Sequence, residues 1–342
     1  MSAHFPSSFD VSSVVDSVRY TFNCPSTPRY KVDNVPDMDW IRHVQESWTP
    51  IVLPNSKFVL RFPWHDDRLV MKSCQEAEML KMQEDMKKKF RGGVKREGAV
   101  VHFEDNDGGE NTTGLHPKKS REYVQIQLEG GVAFGTGEHP TTQLCLGYVR
   151  DKVEQRLDDD EENFNFLDYG AGSGVLGIAA AAVVRDYNQS KPRQPPSSIS
   201  KSMTTVGVEI DADAIHIANE NAKKNAVDMS NYLPDTESMG SEALSVVLLA
   251  MQRKRNQGLT ALPAKLNGPV FDVCVANILA APLVDLAPTI ASLVKSPGGE
   301  VGLSGILATQ SESVVKAYAE FFDDVHVAGE DGGWVLITGK RR

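Results

Sequence analysis

The chain is poor in the features that mark most specialised classes of protein. Of its 342 residues only four are cysteine, Cys24, Cys74, Cys145 and Cys274, and no two form a CxxC pair. That spacing argues against a disulfide framework or a cysteine zinc site and points to a reducing compartment. No apolar run reaches the roughly 18 residues that a membrane-spanning helix needs, and the N-terminus has no basic flank leading into an apolar segment. Positive charge is also short, since 36 Lys and Arg stand against 46 Asp and Glu for a net charge of -10. A general binder of nucleic acid or of an anionic membrane needs the opposite field, so neither partner is expected. The N-terminal segment is rich in Ser and Thr, but Asp10 and Asp16 oppose a transit-peptide reading, which leaves cytoplasm, mitochondrion and plastid open.

What is present is an ordinary soluble balance, 41% hydrophobic and 24% charged, on a chain longer than one average domain. Residues 1–36 offer one modest helical pattern, FDVSSVVDSVRYTF, and DMDWIRHVQESW places Trp40 and Trp48 close to one helical face. FVLRFPW reads as a strand. The charge-dense stretch 76–121 reads as a solvated helix followed by a loop, and the basic residues 87–96 as a solvated face.

From residue 123 the pattern becomes a regular alternation. VQIQL, the strand before FLDYGAGSG, TTVGVEID, FDVCVANIL and GEVGLSGIL read as strands. QLCLGYVRDKVEQRL, VLGIAAAAVV, AIHIANENAKKN, LVDLAPTIASLVK and SESVVKAYAEFF read as the helices between and after them. DVHVAGEDGGWVLITGK closes the chain as a hairpin about a GEDGG turn. Two polar insertions interrupt the series, NQSKPRQPPSSISKS and residues 228–267, and the second is expected to hide a strand near Tyr232 or Val246. The order demands an α/β fold, a doubly wound, mostly parallel sheet with an antiparallel C-terminal hairpin strand. Residues 1–122 are expected to form a small N-terminal region and 123–342 the catalytic domain.

Two glycine-rich turns carry the functional signal. FGTGEHPTT spans residues 134–142, and FLDYGAGSG spans residues 166–174, where Gly170, Gly172 and Gly174 join a strand to a small-residue helix. The GxGxxG made by Gly172, Gly174 and Gly177 is weak alone and also fits NAD. Asp168, directly before the turn, would repel two phosphates and suits a cationic ligand such as the ammonium and sulfonium of S-adenosylmethionine. Glu209, after the next strand, reads either as an acceptor for ribose hydroxyls or as a strand-end acid, and the nearby glycine turn favours the former. Asp211 reads as the cap of the following helix. Asn277 ends an apolar strand where an unpaired amide costs about 1–3 kcal/mol. It either holds a substrate amine or ties down the loop to Pro282, and its place at the ligand edge favours the amine. Ser304 and Gly305, at the end of the next strand, read either as bordering the same pocket or as a tight strand-to-helix turn, and the turn is favoured. His139 reads as loop-shaping, beside Pro140, with Thr141 and Thr142 capping the next helix. No metal site is suggested.

These residues together resemble the PrmA family of ribosomal protein L-eleven methyltransferases. The likeness rests on GGVAFGTGEHPTTQLCL, FLDYGAGSGVLGIAA, GVEIDADAI with NENAKKN, FDVCVANILAAPL, LSGILATQSESVVKAYAEFF and WVLITGK, and covers nearly all of residues 124–342. The resemblance implies a class I, Rossmann-like methyltransferase with a seven-stranded sheet, using S-adenosyl-L-methionine. It places Phe134, Thr142, Asp168, Gly170, Gly172, Gly174, Glu209 and Asn277 at the cofactor and Asn277 at the transfer itself. Glu209 stands where the bacterial motif usually has Asp. The N-terminal substrate-recognition domain of the family is abbreviated here, which puts the target in question more than the chemistry. The implied acceptor is a lysine or N-terminal amine of ribosomal protein L-eleven, with another protein such as the electron-transfer flavoprotein beta subunit as alternative. A nicotinamide-dependent oxidoreductase and an inactive cofactor-binding scaffold are the rival readings. A monomer is expected, without nucleic acid or membrane as partner.

Overall fold

The computed structural model describes residues 48–91, 123–129, 137–159, 163–190, 201–235, 260–268 and 270–342, with a few positions between 11 and 26. Outside the described residues lie most of the two N-terminal helical patterns, Phe134, the insertion at 191–200 and the expected strand near Val246. The chain separates into two compact units, Met1–Trp48 and Thr49–Arg342, and all strands among the described residues belong to the second.

Three short strands form one sheet: β1 (Ile51–Leu53) and β2 (Phe58–Arg61) are antiparallel, and β3 (Val124–Gln127) lies parallel to β2. Strands from either side of residue 122 thus share one sheet. The 25-residue helix α1 (Asp67–Arg91) runs between β2 and β3 in sequence and packs on β1 and β2. Lys57 and Tyr123 both reach Glu78 on α1, which fastens the helix to the start of β3.

The larger sheet follows. α2 (Pro140–Asp158) leads to β4 (Asn163–Tyr169), α3 (Val175–Ser190), β5 (Ser202–Val208), α4 (Ala212–Lys224) and β6 (Ser230–Tyr232). Then come β7 (Val273–Asn277), α5 (Ala280–Asp285), α6 (Ala287–Leu293), β8 (Glu300–Leu307), α7 (Ser311–Tyr318), β9 (Phe322–Asp331) and β10 (Trp334–Arg341). The strand order is β6-β5-β4-β7-β8-β10-β9. β6 through β8 are parallel, and β10 is antiparallel to both β8 and β9. The sequence expectation of a parallel sheet closed by a hairpin is met, and the strand near Tyr232 is β6. Phe166, Leu167, Val273, Cys274, Val275 and Ala276 are fully buried. Strands covered by helices on both faces read as such continuous apolar runs.

Two local expectations change. LVDLAPTIASLVK forms two short helices rather than one, broken at Leu286. Pro288 occupies the first turn of α6, where its missing N–H costs nothing, whereas inside one long helix it would remove a bond and clash with the preceding turn. Ser304 and Gly305 lie inside β8 rather than in a turn after it. The Ser304 hydroxyl donates to the Val335 carbonyl at 2.8 Å, so the side chain supports the sheet.

Gly302, in the middle of β8, faces the ring of Tyr148 on α2: a β-carbon there would stand 2.5 Å from Cε1. Both groups sit in the dry layer between sheet and helix, where neither can retreat. Gly302→Ala is expected to destabilise the chain by about 1–3 kcal/mol, measured by urea unfolding, without loss of the fold.

Candidate functional site

In the larger sheet the strand order reverses between β4 and β7, because β5 and β6 extend one way and β8 and β10 the other. The carboxyl ends of β4 and β7 therefore open into a crevice, the place where open α/β sheets take ligands. The turn 170–174, Glu209 and Asn277 all emerge there.

Gly170, Gly172 and Gly174 have φ of 81°, 54° and 77°, a left-handed run that residues with a β-carbon avoid. The turn is fixed by Gly170 and Ala171 amides donating to the Val208 carbonyl at 2.8 and 3.1 Å, and by Gly174 N donating to Ala171 O at 2.8 Å. A β-carbon at Gly170 would come within 2.3 Å of Ile278 Cγ2, and one at Gly174 within 3.1 Å of Ala218. The room cleared at these two glycines is taken up by the protein's own packing. Ile278 also blocks Gly305, whose β-carbon would meet the Ile278 carbonyl oxygen at 2.2 Å. Ile278 was not singled out in the sequence. Only its place directly after Asn277 could have marked it.

Glu209 braces the turn. Its Oε2 accepts from Gly172 N at 2.9 Å, while Oε1 accepts from Ile210 N at 2.7 Å and Asp211 N at 3.0 Å. Oε1 is filled by its two amides, and Oε2 keeps one lone pair for a ligand hydroxyl. Asp211 caps α4 as expected, accepting from Asp213 N at 2.9 Å. Asp168 is buried rather than open to the crevice mouth. Its Oδ2 accepts from Gly177 N in the first turn of α3 at 2.9 Å, and Oδ1 has no partner among the described residues. Burial, opposed by that amide and reinforced by Glu209, raises its pKa from 3.8 to about 7.

On the opposite wall, Asn277 Nδ2 points to Thr142 Oγ1 at 3.4 Å, which brings the end of β7 against the start of α2. Thr142 is buried. The cap of α2 is His139 and not a threonine: its Nδ1 accepts from Thr141 N at 3.3 Å and lies 2.8 Å from Thr141 Oγ1, with Pro140 at the first helical position. The His139 ring meets Trp334 edge-on at 4.7 Å, so the hairpin holds the loop end. Gly137, with φ 91°, seats the same loop against Leu60 of β2. Beyond Tyr169 and Val208 a small recess is lined by Pro234, Asp235 and Leu262. Asp235 accepts from Asn267 Nδ2 at 2.5 Å. These residues fall within the 228–267 insertion, for which the sequence suggested a strand but no functional residue.

A sheet of this order, with a glycine turn after β4, a carboxylate after β5 and a polar strand end at β7, defines the class I, Rossmann-like methyltransferase architecture. Comparison with known proteins narrows the class. The model of the ribosomal protein L11 methyltransferase (PrmA) family matches residues 112–187 and 197–342, and the chain belongs to that family. The ribosomal protein L11 methyltransferase of Pseudomonas savastanoi pv. phaseolicola is 37% identical over 227 residues, 66% of this chain and 60% of that protein. The protein of the same name from Nitrosomonas europaea is 27% identical over 332 residues, 97% of this chain and 76% of its own length. The chain thus spans 60% of the Pseudomonas relative. A crystal structure of ribosomal protein L11 methylase from Lactobacillus delbrueckii subsp. bulgaricus aligns with a TM-score of 0.48 at 21% identity, covering 86% of this chain and 100% of that one.

The raised pKa of Asp168 has a measurable consequence. Between 3.8 and about 7 the folded chain holds a proton that the unfolded chain has lost. Stability attributable to this group is therefore present at acid pH and falls as pH rises through that window. Asp168→Asn, which keeps an acceptor for Gly177, is expected to show a flatter urea-unfolding stability between about pH 4 and about pH 7 than the parent chain.

Proposed function

We propose that the chain is an S-adenosylmethionine-dependent protein methyltransferase that transfers methyl groups to amines, lysine side chains or an N-terminus, with ribosomal protein L11 as the first-choice substrate. The observation that carries this reading is the convergence at one crevice of the glycine turn, Glu209, and Asn277 set against Thr142, with the Asp168 carboxylate buried at the end of β4 behind the turn. Family membership and the relatives' names support the substrate.

The donor contributes a methyl carbon already activated by its sulfonium, so the protein's task is alignment and exclusion of water. The unmatched Oδ1 of Asp168 is a buried acceptor that suits a cationic group, since an opposite charge offsets the cost of ionising there. Glu209 would accept from one ribose hydroxyl at Oε2 while keeping its backbone amides. Phe134, Thr142 and the turn at Gly170, Gly172 and Gly174 complete the assigned cofactor contacts. Asn277 is the residue assigned to the acceptor: with Nδ2 turned to Thr142, its Oδ1 is left to accept from the incoming amine. Ile278 and the exposed Leu279 supply apolar surface beside it, which favours the neutral amine over the ammonium form. Water takes the released proton. A nicotinamide cofactor fits less well, because its pyrophosphate would face two carboxylates across a short turn. The negative net charge supports a protein acceptor over nucleic acid or membrane, with the chain acting as a monomer and residues 1–122 selecting the target.

Labelled donor incubated with the purified chain and isolated ribosomal proteins is expected to mark L11, with the site read by mass spectrometry. Donor binding without transfer to any protein would favour an inactive scaffold. Asn277→Ala is expected to lower the transfer rate about 100-fold with little effect on donor affinity; full activity would remove it from the transfer step. Because a cation favours ionised Asp168, donor binding near the titration point of this group is expected to release a proton. Calorimetry in buffers of different ionisation enthalpy measures it, and a buffer-independent heat would take Asp168 out of the cation role.

A further inference from the structure

Two buried amide side chains, Asn221 on α4 and Asn225 at its C-cap, are 0% and 6% exposed and lie one turn apart. Asn225 treats β3 as a neighbouring strand would. Its Oδ1 accepts from Gln127 N at 2.8 Å and its Nδ2 donates to Gln127 O at 2.7 Å. Asn221 reaches two separate segments. Its Nδ2 donates to the Ser173 carbonyl in the glycine turn at 2.9 Å, and its Oδ1 accepts from Glu129 N at 2.8 Å. The amide cannot be reversed, because a flip would set N–H against N–H and oxygen against oxygen. Lys224, on the same helix, pairs with the Glu129 carboxylate.

Glu129 is where the chain leaves β3 on its way to Gly137 and the His139 cap. Ser173 sits between Gly172, whose amide donates to Glu209, and Gly174, which packs against Ala218. One buried amide therefore joins the turn below the crevice to the segment that leads to its opposite wall. We propose that Asn221 is a positioning residue for donor binding, which sets the register of the 170–174 turn against the strand exit at Glu129. The proposal rests on the reading above, that this turn receives S-adenosylmethionine. Losing the amide leaves a carbonyl and an N–H unmatched in a dry site, and the turn relaxes away from the geometry that Glu209 holds.

The discriminating variant is Asn221→Asp. Its protonated acid can donate to Ser173 O and accept from Glu129 N, as the amide does, whereas its carboxylate meets the carbonyl with like polarity. Calorimetric affinity for S-adenosylmethionine is measured on the full chain, with circular dichroism to verify folding. At about pH 8 the variant is expected to bind about tenfold more weakly than the parent and to recover as pH falls to about 6 when both are compared at each pH. Asn225→Ala, which loses the strand contacts but touches no part of the turn, is expected to lower the unfolding temperature and leave donor affinity unchanged. If Asn221→Asp does not fold at the higher pH, Asn221→Ser serves instead, with weakened affinity expected at every pH. Equal donor affinity in folded Asn221 variants and parent overturns the proposal, as does an equal loss in Asn225→Ala. A parent chain that does not bind S-adenosylmethionine overturns the functional reading itself.

Discussion

The site depends on one carboxylate that accepts from two turns at once. A left-handed glycine run presents its amides without the regular partners of helix or sheet, and the start of α4 leaves amides of its own unpaired. Glu209 serves both, with one oxygen on Gly172 and the other on Ile210 and Asp211. Hydrogen bonds to an ionised acceptor are worth about 1.5–3 kcal/mol each, enough to hold a short loop against its entropy. The glutamate length matters to this arrangement, because the side chain must reach across to Gly172 while its other oxygen stays on the amides that follow it. The residue assigned to the ligand is also the clasp between the β4 and β5 ends.

The second carboxylate works by the opposite logic. Asp168 is placed where ionisation is costly, supported by one amide of α3 and opposed by burial and by Glu209. A group in this condition is indifferent to neutral ligands and responsive to positive ones. The pair thus divides the labour: Glu209 shapes the turn through bonds it makes within the protein, and Asp168 keeps an oxygen that no described residue uses.

The alternation of strands and helices after residue 123 was legible because each element carries its own period and its own stop signals. Gly170, Gly172 and Gly174 were legible because a positive φ leaves few alternatives, and Asp211 because a cap is a local bond. The features missed are all contacts between distant segments. Nothing in the sequence places Ile278 over Gly170, or says that His139 rather than a threonine takes the first amide of α2, since Trp334 comes from the last hairpin to pin it. The break at Leu286 was readable from Pro288 but was outweighed by the apolar period around it. Asn221 and Asn225 looked like ordinary polar residues of an amphipathic helix, and only the position of β3 shows them to be buried.

The small sheet also bears on how this chain could grow. β2 and β3 are parallel neighbours, and parallel neighbours cannot be joined by a tight turn; some crossover must carry the chain back to the same end. α1 begins that passage; Arg61 holds its start through Asp67, and Glu78 reaches Tyr123 at its end. Once the ends are fixed, lengthening the path between them is cheap, since each doubling of a flexible loop costs only about 0.6 kcal/mol. The connection between these two strands is a place where sequence can be added with little strain on the crevice, an open port in the fold for acquiring new contacts while the chemistry stays where it is.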